Sequence, residues 1–323
     1  MIEPEPQKCP NCDQPVESPV DIPQKGTVGC PHCGERLPGS SEMDLLSVLP
    51  VLSDSPDRPV PAPRQWNASD LRDPLEGKAF AWLVFFSLFA WVFLAIWVIS
   101  TLGFAILILG LIAGARHMAE LFAVAHIKTN AVEVSERQFP EIQRIAAAFA
   151  RQIGQPVPTI YVIQENTWNA LAMRIAGKRL VVLYSGAVDS ILSKGSLSQL
   201  AWVIGHEMGH HYAGHLDFLR SMTVGLGSWF VWVRLWYSRR CEFTCDRYGL
   251  ACAQNLQESL RAVCNMSVGS HLASQVDIEE AIAQWNRYRS EFFVRYRTIY
   301  STHPHTLCRL EALTKAAQEL GVQ

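Results

Sequence analysis

The apolar residues of this chain form one long uncharged block followed by shorter periodic segments. No charged residue occurs from residue 79 to residue 115. One helix of this length would extend about 55 Å at about 1.5 Å per residue, whereas the hydrocarbon core of a bilayer is about 30 Å thick. The block therefore predicts a membrane-spanning helical hairpin over 79–125, with a first pass over 79–99 and a turn near 100–103.

The second pass of this hairpin is less regular than the first. Residues 104–115 alone would extend only about 18 Å, so the helix must continue through Arg116 and Glu120. These two side chains are four residues apart and can pair on one helix face. A hairpin that enters and leaves the same leaflet is the alternative interpretation.

The segment after the hairpin, 126–323, mixes helical and strand periodicities and predicts one α+β domain. A helix begins near Pro140 and ends near Gly154, and 159–163 and 179–184 are typical of strands, with 169–175 a candidate strand between them. Ser196 has the position of a helix cap, and the apolar helix that follows it leads into the histidines His206 and His210.

Before the hairpin, the chain divides into a cysteine-bearing segment, 1–37, and a flexible linker, 38–78, rich in Pro, Ser and Asp. The first segment contains two Cys-x2-Cys pairs separated by 17 residues, Cys9 with Cys12 and Cys30 with Cys33. This spacing is typical of a zinc ribbon, in which four thiolates bind one structural ion. Two disulfides in a secreted domain are the alternative.

Composition and charge argue against a nucleic-acid-binding protein and bear on the compartment of the cysteines. The chain has 323 residues, 18% of them charged, and a formal net charge of −2, so we expect no nucleic-acid surface. Its start lacks the basic residues and apolar run of a secretory signal, which favours reduced cysteines and zinc. A two-pass hairpin returns the chain to the same side, and basic residues flank it while its turn is uncharged. We therefore expect the ribbon and the downstream domain to face the cytoplasm.

The strongest chemical motif is His206-Glu207-Met208-Gly209-His210. The two histidines are one helical turn apart and can bind one metal ion, and Glu207 beside them can act as a general base toward water. A pair of structural core histidines is the alternative. We interpret the motif as a catalytic zinc site.

A catalytic zinc ion needs a third protein ligand and an open position. His215 misses the spacing of the third metzincin histidine by one residue, and on a continuing helix it would point about 140° away from His210. Glu242 is the better candidate, with Asp246 one turn later placed to accept the second N–H of a ligand histidine. An exposed charged helix face is the alternative for these two acids.

Four separated motifs together resemble the HtpX/CAAX-prenyl-endopeptidase family of integral-membrane zinc metallopeptidases, over about residues 132–313. They are Asn169-Ala170-Leu171-Ala172, the His-Glu-x-Gly-His helix with its trailing His215, the helix bearing Arg239, Glu242 and Asp246, and His303-Pro304 followed by Arg309. The resemblance implies endopeptidase activity and a zincin fold of the gluzincin type with a small mixed sheet. It also implies that His206, His210 and Glu242 bind the zinc ion.

The chain departs from the family pattern in two respects. It has Leu171 and Cys245 where the family usually has Phe and Ala. It also has only 31 residues between His210 and Glu242, where HtpX-type members place two further membrane spans. We therefore interpret 222–237 as one helix that leads into Glu242 and touches the membrane surface through Trp229, Trp232 and Trp236.

We expect a peptide substrate to bind as an extended strand along 169–172, through backbone hydrogen bonds that are independent of sequence. The resemblance implies a quality-control endopeptidase that acts on membrane proteins, with membrane lipid around the hairpin. The alternative is a catalytically weak scaffold that recruits partners through the ribbon. Because 1–37 holds six acidic and three basic residues, we expect the ribbon to bind protein or regulate the enzyme rather than bind nucleic acid.

The C-terminal motif supplies two further candidate site residues. Pro304 pushes His303 out of the helical region and can begin a helix that carries Arg309. His303 could donate to a tetrahedral oxyanion or occupy the open zinc position, and Arg309 could neutralise Glu242 or Asp246. The alternative is that both only fasten the C-terminal helix. In total we expect two zinc ions, one catalytic and one structural.

Overall fold

The computed structural model describes residues 7–8, 15–16, 64–101, 103–175, 177–193 and 196–323. The chain forms two compact units, Met1–Val60 and Pro61–Gln323. In the first unit, β1 (Gln7–Lys8) and β2 (Pro15–Val16) pair antiparallel. Cys9, Cys12, Cys30 and Cys33 and most of the expected linker lie outside the described residues, so the zinc ribbon remains a prediction.

Two apolar helices come first among the described elements of the second unit. They are α1 (Glu76–Ser100) and α2 (Phe104–Asn130), and both are long and apolar enough to cross a membrane. Gly103 lies in the turn between them at φ +82°, a conformation that glycine adopts without a side-chain clash. The expected pair of apolar helices is thus confirmed, and Arg116 donates to Glu120 at 3.0 Å.

A small mixed sheet follows the apolar helices. Its strands are β3 (Ala131–Glu133), β4 (Thr159–Ile163), β5 (Ala170–Ile175) and β6 (Lys178–Tyr184). The spatial order is β3-β4-β6-β5, in which β4 and β6 are parallel and the other two pairs are antiparallel. The expected α+β class with a small mixed sheet is therefore confirmed, and β5 is an edge strand.

The helix between β3 and β4 shows why the sequence pattern located these elements well. In α3 (Pro140–Ile153), Pro140 stands in the first turn, where its fixed φ suits a helix start. Ile142, Ile145 and Phe149 recur at helical spacing and are buried. Gly154 ends the helix at φ +69°.

Four helices follow the sheet: α4 (Ser185–Leu192), α5 (Leu197–Tyr212), α6 (Phe218–Gly227) and α7 (Val231–Ala253). Glycines allow α5 and α7 to touch. A Cβ on Gly205 would lie 2.4 Å from Cys252 Cβ, and one on Gly249 would lie 2.8 Å from the carbonyl oxygen of Trp202. Because the backbones approach so closely, the His206 face of α5 meets the Glu242 face of α7.

The expectation of one helix over 222–237 is wrong, because α6 and α7 are separated by a break at 228–230. Gly227 lies so close to α1 that a Cβ there would be 2.5 Å from Leu83 Cδ1. Ser228 Oγ donates to the carbonyl oxygen of Gly225 at 2.6 Å. The weak helix formers Gly225, Gly227 and Ser228 permit the break, and packing against α1 determines its position. Trp236 packs into the cluster around Leu83, so it does not reach outward as expected.

The chain ends with α8 (Leu256–Val268), a 3₁₀ turn (Ala273–Gln275), α9 (Ile278–Tyr288), α10 (Phe292–Tyr300) and α11 (Thr306–Leu320). α11 packs against α7, α8 and α9 and buries Leu310, Leu313 and Ala317. This packing places Arg309 inside the domain, next to α5 and α7.

Candidate active site

His206 and His210 lie one turn apart on the same face of α5, toward α7. His206 Nε2 is 3.6 Å from Glu242 Oε2, and His210 Nε2 is 3.8 Å from Glu242 Oε1. His206 and Glu242 are buried, and His210 is half-buried beside a cleft. The structure therefore brings together the three residues expected to bind the metal.

Burial and charge set the protonation of these three side chains. Burial lowers the pKa of His206, but its hydrogen bonds to Asp246 and Glu242 outweigh burial and raise this pKa to about 9. Burial lowers the pKa of His210 to about 3. Burial raises the pKa of Glu242, but the hydrogen bond from His206 reverses this effect and holds the pKa well below its usual range. The two imidazoles thus differ in basicity although they share one helix.

The chemistry of these donors fits a zinc ion. Imidazole nitrogens and carboxylate oxygens are the usual ligands of catalytic zinc. Asp246 Oδ1 lies 3.1 Å from His206 Nδ1, so in the neutral ring Nδ1 carries the proton and Nε2 is free to bind a metal. The residues that converge here would therefore hold zinc through two histidines and one glutamate.

Cys245 is a rival for the third ligand. Its Sγ and one ring nitrogen each of His206 and His210 lie within 4.8 Å of one another. Cys245 is fully buried, and burial raises the pKa of its thiol well above the usual range. A thiol must lose its proton to bind a metal, whereas Glu242 is ionised and faces Nε2 of both rings. The geometry and the charges favour Glu242.

A cleft of about 300 Å³ opens beside the three expected ligands. Its lining includes Glu207, the edge-strand segment Asn169, Ala170, Leu171 and Ala172, and the apolar side chains of Trp168, Trp202, Val203, Leu216 and Met266. Burial raises the pKa of Glu207 to about 7, although the charge of His206 and the backbone N–H of Ala172 oppose this shift. A carboxylate with such a pKa can accept and release a proton near neutral pH.

Two overlapping segments of the chain, residues 136–235 and 219–317, match the model of peptidase family M48. Together they cover more than half of the chain. The chain belongs to peptidase family M48. The HtpX-like resemblance seen in its motifs is thereby confirmed.

Three curated relatives of this M48 chain show how far the similarity extends. It is 24% identical over 184 residues to the plastoglobule-localized metallopeptidase 48, chloroplastic, of Arabidopsis thaliana, which is 52% of each protein. It is 36% identical over 92 residues to a protease HtpX homolog of Thermodesulfovibrio yellowstonii, 28% of this chain and 31% of that relative. It is 24% identical over 234 residues to a protease HtpX homolog of Pyrococcus furiosus, 60% of this chain and 79% of that relative. The chain thus spans about half the length of the first relative and a third of the second. No solved structure matches it significantly.

His215 occupies a position in this M48 chain that the sequence did not predict. α5 ends at Tyr212, and Gly214 turns the chain at φ +73°, so the continuing helix on which His215 would point away does not form. The backbone N–H of His215 donates to the carbonyl oxygen of His210 at 3.0 Å. The His215 ring folds back until its Nδ1 lies 3.4 Å from His210 Nδ1. His215 therefore contacts His210 on the side opposite Glu242.

A buried carboxylate that motif reasoning missed lies behind His215. Glu76, the first residue of α1, is 1% exposed, and its Oε1 lies 3.4 Å from His215 Nε2. Arg72 and Arg220 donate to Oε1 at 2.6 Å and 2.8 Å, and Thr244 Oγ1 donates to Oε2 at 2.7 Å. The only signal in the sequence was one acid just before an uncharged block, in a segment expected to be a linker.

The charges of this network indicate which ring nitrogens carry protons. Burial lowers the pKa of His215 and keeps its ring neutral. The Glu76 carboxylate can only accept, so His215 carries its proton on Nε2 and presents an unprotonated Nδ1. His210 can donate its Nδ1–H to this atom, which leaves His210 Nε2 free on the Glu242 side, and the Cys245 thiol lies 3.6 Å from the same atom. Both contacts, at 3.4 Å, are longer than ordinary hydrogen bonds.

The two C-terminal candidates, Arg309 and His303, differ in exposure. Arg309 is buried and donates to both oxygens of Asp246, at 2.6 Å and 2.9 Å. Burial raises the pKa of Asp246, but the charge of Arg309 outweighs burial and lowers it. His303 lines the cleft and is largely exposed, with its Nε2 3.6 Å from Glu242 Oε1.

Proposed function

We propose that this M48 peptidase is a membrane-anchored zinc endopeptidase whose metal ligands are His206, His210 and Glu242. One observation carries the proposal: the three side chains meet, with Glu207 beside them, at a cleft bordered by an edge strand. Zinc held there supplies a Lewis acid that polarises the scissile carbonyl and acidifies water.

Glu207 acts as the general base in this proposal. Its carboxylate accepts a proton from the attacking water and then delivers the proton to the leaving amine nitrogen, so Glu207 ends the cycle ionised. His303, at the cleft, donates to the oxyanion that develops on the scissile carbonyl oxygen. Its exposure leaves it free to move toward a bound substrate.

The substrate binds as an extended strand along the 169–172 segment, which lines the cleft. Backbone N–H and C=O groups of an edge strand pair with any peptide regardless of its sequence. The apolar lining from Trp168, Leu171 and Met266 favours apolar side chains next to the scissile bond. Such a site suits unfolded or misassembled polypeptides.

Two pairs of residues position the proposed ligands. Asp246 holds the His206 ring through Nδ1, and Arg309 holds Asp246 in turn. His215 holds the His210 ring, and Glu76 orients His215. Partners of this kind keep the metal-binding nitrogens unprotonated and aimed at one point.

The cellular setting follows from the apolar hairpin and the N-terminal cysteines. α1 and α2 anchor the chain in a membrane, and the uncharged turn between flanking basic residues supports a cytoplasmic active site. Quality control of membrane proteins is the role we propose. Cys9, Cys12, Cys30 and Cys33 hold a second, structural zinc ion in a module that binds protein or regulates the enzyme.

Glu207→Gln tests the proposed reaction. The full-length variant is purified in lipid vesicles and compared with the wild type for zinc content and for cleavage of an unfolded protein. We expect unchanged zinc content and lost cleavage, because an amide cannot accept the proton of water. His206→Ala is the control and should lose catalytic zinc together with cleavage. Substantial cleavage by protease-free Glu207→Gln would contradict the general-base assignment.

A further inference from the structure

The break between α6 and α7 packs against the apolar part of α1. The rings of Phe86 and Phe230 are 4.6 Å apart. Phe86 lies ten residues after Glu76, which is about 15 Å along the helix. The neighbouring Phe85 and Phe89 of α1 are exposed. The break therefore lies at the level where α1 presents apolar side chains to its surroundings.

A continuous row of aromatic rings leads from this break to α10. Beside the break, Trp229 is 68% exposed and Trp232 is 61% exposed. The ring of Trp232 lies 6.4 Å from that of Tyr300, which lies 4.6 Å from Tyr296, and Tyr296 lies 6.5 Å from Phe292. Two separate parts of the chain thus contribute to one exposed aromatic surface.

α10 carries its share of this surface on one face. Phe292, Tyr296 and Tyr300 recur every four residues, so they project from the same side of the helix. Phe293 next to them is 79% exposed. A helix that leaves this many rings uncovered needs an apolar environment outside the domain to shield them from water.

The C-terminal end of α10 is fixed to the catalytic domain. Arg239 Nη1 donates to the carbonyl oxygens of Ile299 and Ser301, at 3.0 Å and 2.7 Å. Arg239 lies on α7, three residues before Glu242. The exposed rings are therefore held in a defined position relative to the ligand-bearing helix.

We propose that this aromatic surface, defined as Trp229, Trp232, Phe292, Phe293, Tyr296 and Tyr300, lies in the interfacial layer of the membrane crossed by α1. Aromatic rings favour that layer, and the exposed guanidinium groups of Arg295 and Arg297 beside them fit the phosphates of anionic lipids. A lipid surface is the occupant because Phe230, which lies between Trp229 and Trp232 in the sequence, packs on Phe86 in the apolar part of α1. This inference rests on the proposed membrane location.

The consequence concerns access to the active site. The chain passes from Tyr300 through Ser301 to His303, which lines the cleft. Lipid contact by α10 holds this side of the cleft at the membrane surface. The enzyme therefore selects polypeptide segments that lie at, or emerge from, the bilayer over peptides in solution.

Photocrosslinking of the full-length protein in vesicles of mixed neutral and anionic phospholipid tests the inference. Three variants each carry one photoreactive residue: Trp91→p-benzoylphenylalanine, Phe293→p-benzoylphenylalanine and Leu192→p-benzoylphenylalanine. Trp91 reports on the proposed membrane span. Leu192 is the matched exposed control. It precedes the N-terminus of α5, and the opposite end of α5 is the one near α1, because Arg72 donates to the carbonyl oxygen of Ala213 there.

We expect lipid adducts at Trp91 and Phe293 and none at Leu192, with a lower yield at Phe293 in vesicles of neutral lipid alone. Adducts at Trp91 without adducts at Phe293 would overturn the inference and leave the membrane location intact. Protein crosslinks at Phe293, to a second copy or to the N-terminal unit, would also overturn it. If Trp91 gives no lipid adducts, the membrane location itself fails, and the inference fails with it.

Discussion

The two histidines of α5 that we propose as zinc ligands contact different partners on the side away from Glu242. His206 contacts Asp246 directly at 3.1 Å, and Arg309 binds both oxygens of Asp246. His210 contacts the neutral ring of His215 at 3.4 Å, and that ring in turn contacts Glu76. One imidazole therefore has a charged partner at hydrogen-bond distance, and the other has a neutral relay with longer contacts.

The difference shows how the metal site is connected to the rest of the molecule. Asp246 and Arg309 join α7 to the C-terminal helix α11, whereas His215 and Glu76 join the end of α5 to the first turn of the apolar helix α1. Because charge-assisted hydrogen bonds are about twice as strong as neutral ones, we expect the partner of His206 to contribute more to zinc affinity. The following variants are compared in full-length protein with all four N-terminal cysteines changed to serine, so that the predicted ribbon does not contribute to the measured zinc affinity.

Asp246→Ala is expected to have the largest effect. Zinc affinity should fall about 10- to 100-fold, the usual range for loss of a residue that supports a ligand histidine, because His206 loses its acceptor and Arg309 is left buried without a counter-charge. Competition with a chromophoric chelator measures the affinity. Asp246→Asn keeps an acceptor oxygen, so its zinc affinity should fall less. If Asp246→Ala binds zinc as tightly as the parent protein, Asp246 does not support zinc binding through His206.

His215→Ala should lower zinc affinity less than Asp246→Ala, since the contact it removes is longer and neutral. Glu242→Ala provides the reference for loss of a true ligand and should lower affinity far more than His215→Ala in the same chelator competition. If His215→Ala matches Glu242→Ala, then His215 binds the metal and the third-ligand assignment is wrong.

Glu76→Gln should have the smallest effect on zinc, because Glu76 reaches the metal site only through His215 and contacts that ring at 3.4 Å, longer than an ordinary hydrogen bond. It should instead lower the thermal stability of the protein, since Arg72 and Arg220 lose a buried counter-charge. Thermal unfolding in the presence of a chelator measures this loss without the contribution of bound zinc. Glu120→Gln, which breaks the exposed pair with Arg116, is the control and should leave stability nearly unchanged. A larger loss of zinc affinity in Glu76→Gln than in His215→Ala would show that Glu76 acts on the metal by another route.

Residues that interact within one helical turn were predictable from the sequence. The spacing of His206 and His210 places both rings on one face of a helix, and the spacing of Glu242 and Asp246 does the same on a second helix. The caps at Pro140 and Ser196 and the uncharged block at 79–115 likewise act locally, so the corresponding helices could be located from the sequence.

Features that depend on contact between distant segments were not predictable in this way. The break at 228–230 is fixed by packing of Gly227 on Leu83, which lies far away in the sequence. The return of His215 to His210 follows from one turn at Gly214. The periodicity of the sequence predicted that the helix would continue through this position. Glu76 became part of the site only because α1 begins beside α7 and the end of α5, and no motif marks that position.

The central claim is that the catalytic zinc ion is held by two histidines and Glu242, and not by Cys245. X-ray absorption at the zinc edge tests it most directly, on full-length protein with the four N-terminal cysteines changed to serine and one equivalent of zinc bound. We expect only nitrogen and oxygen ligands, at about 2.0–2.2 Å, with a spectrum that Cys245→Ala leaves unchanged and Glu242→Ala alters. A sulfur ligand at about 2.3 Å that disappears in Cys245→Ala would contradict the claim.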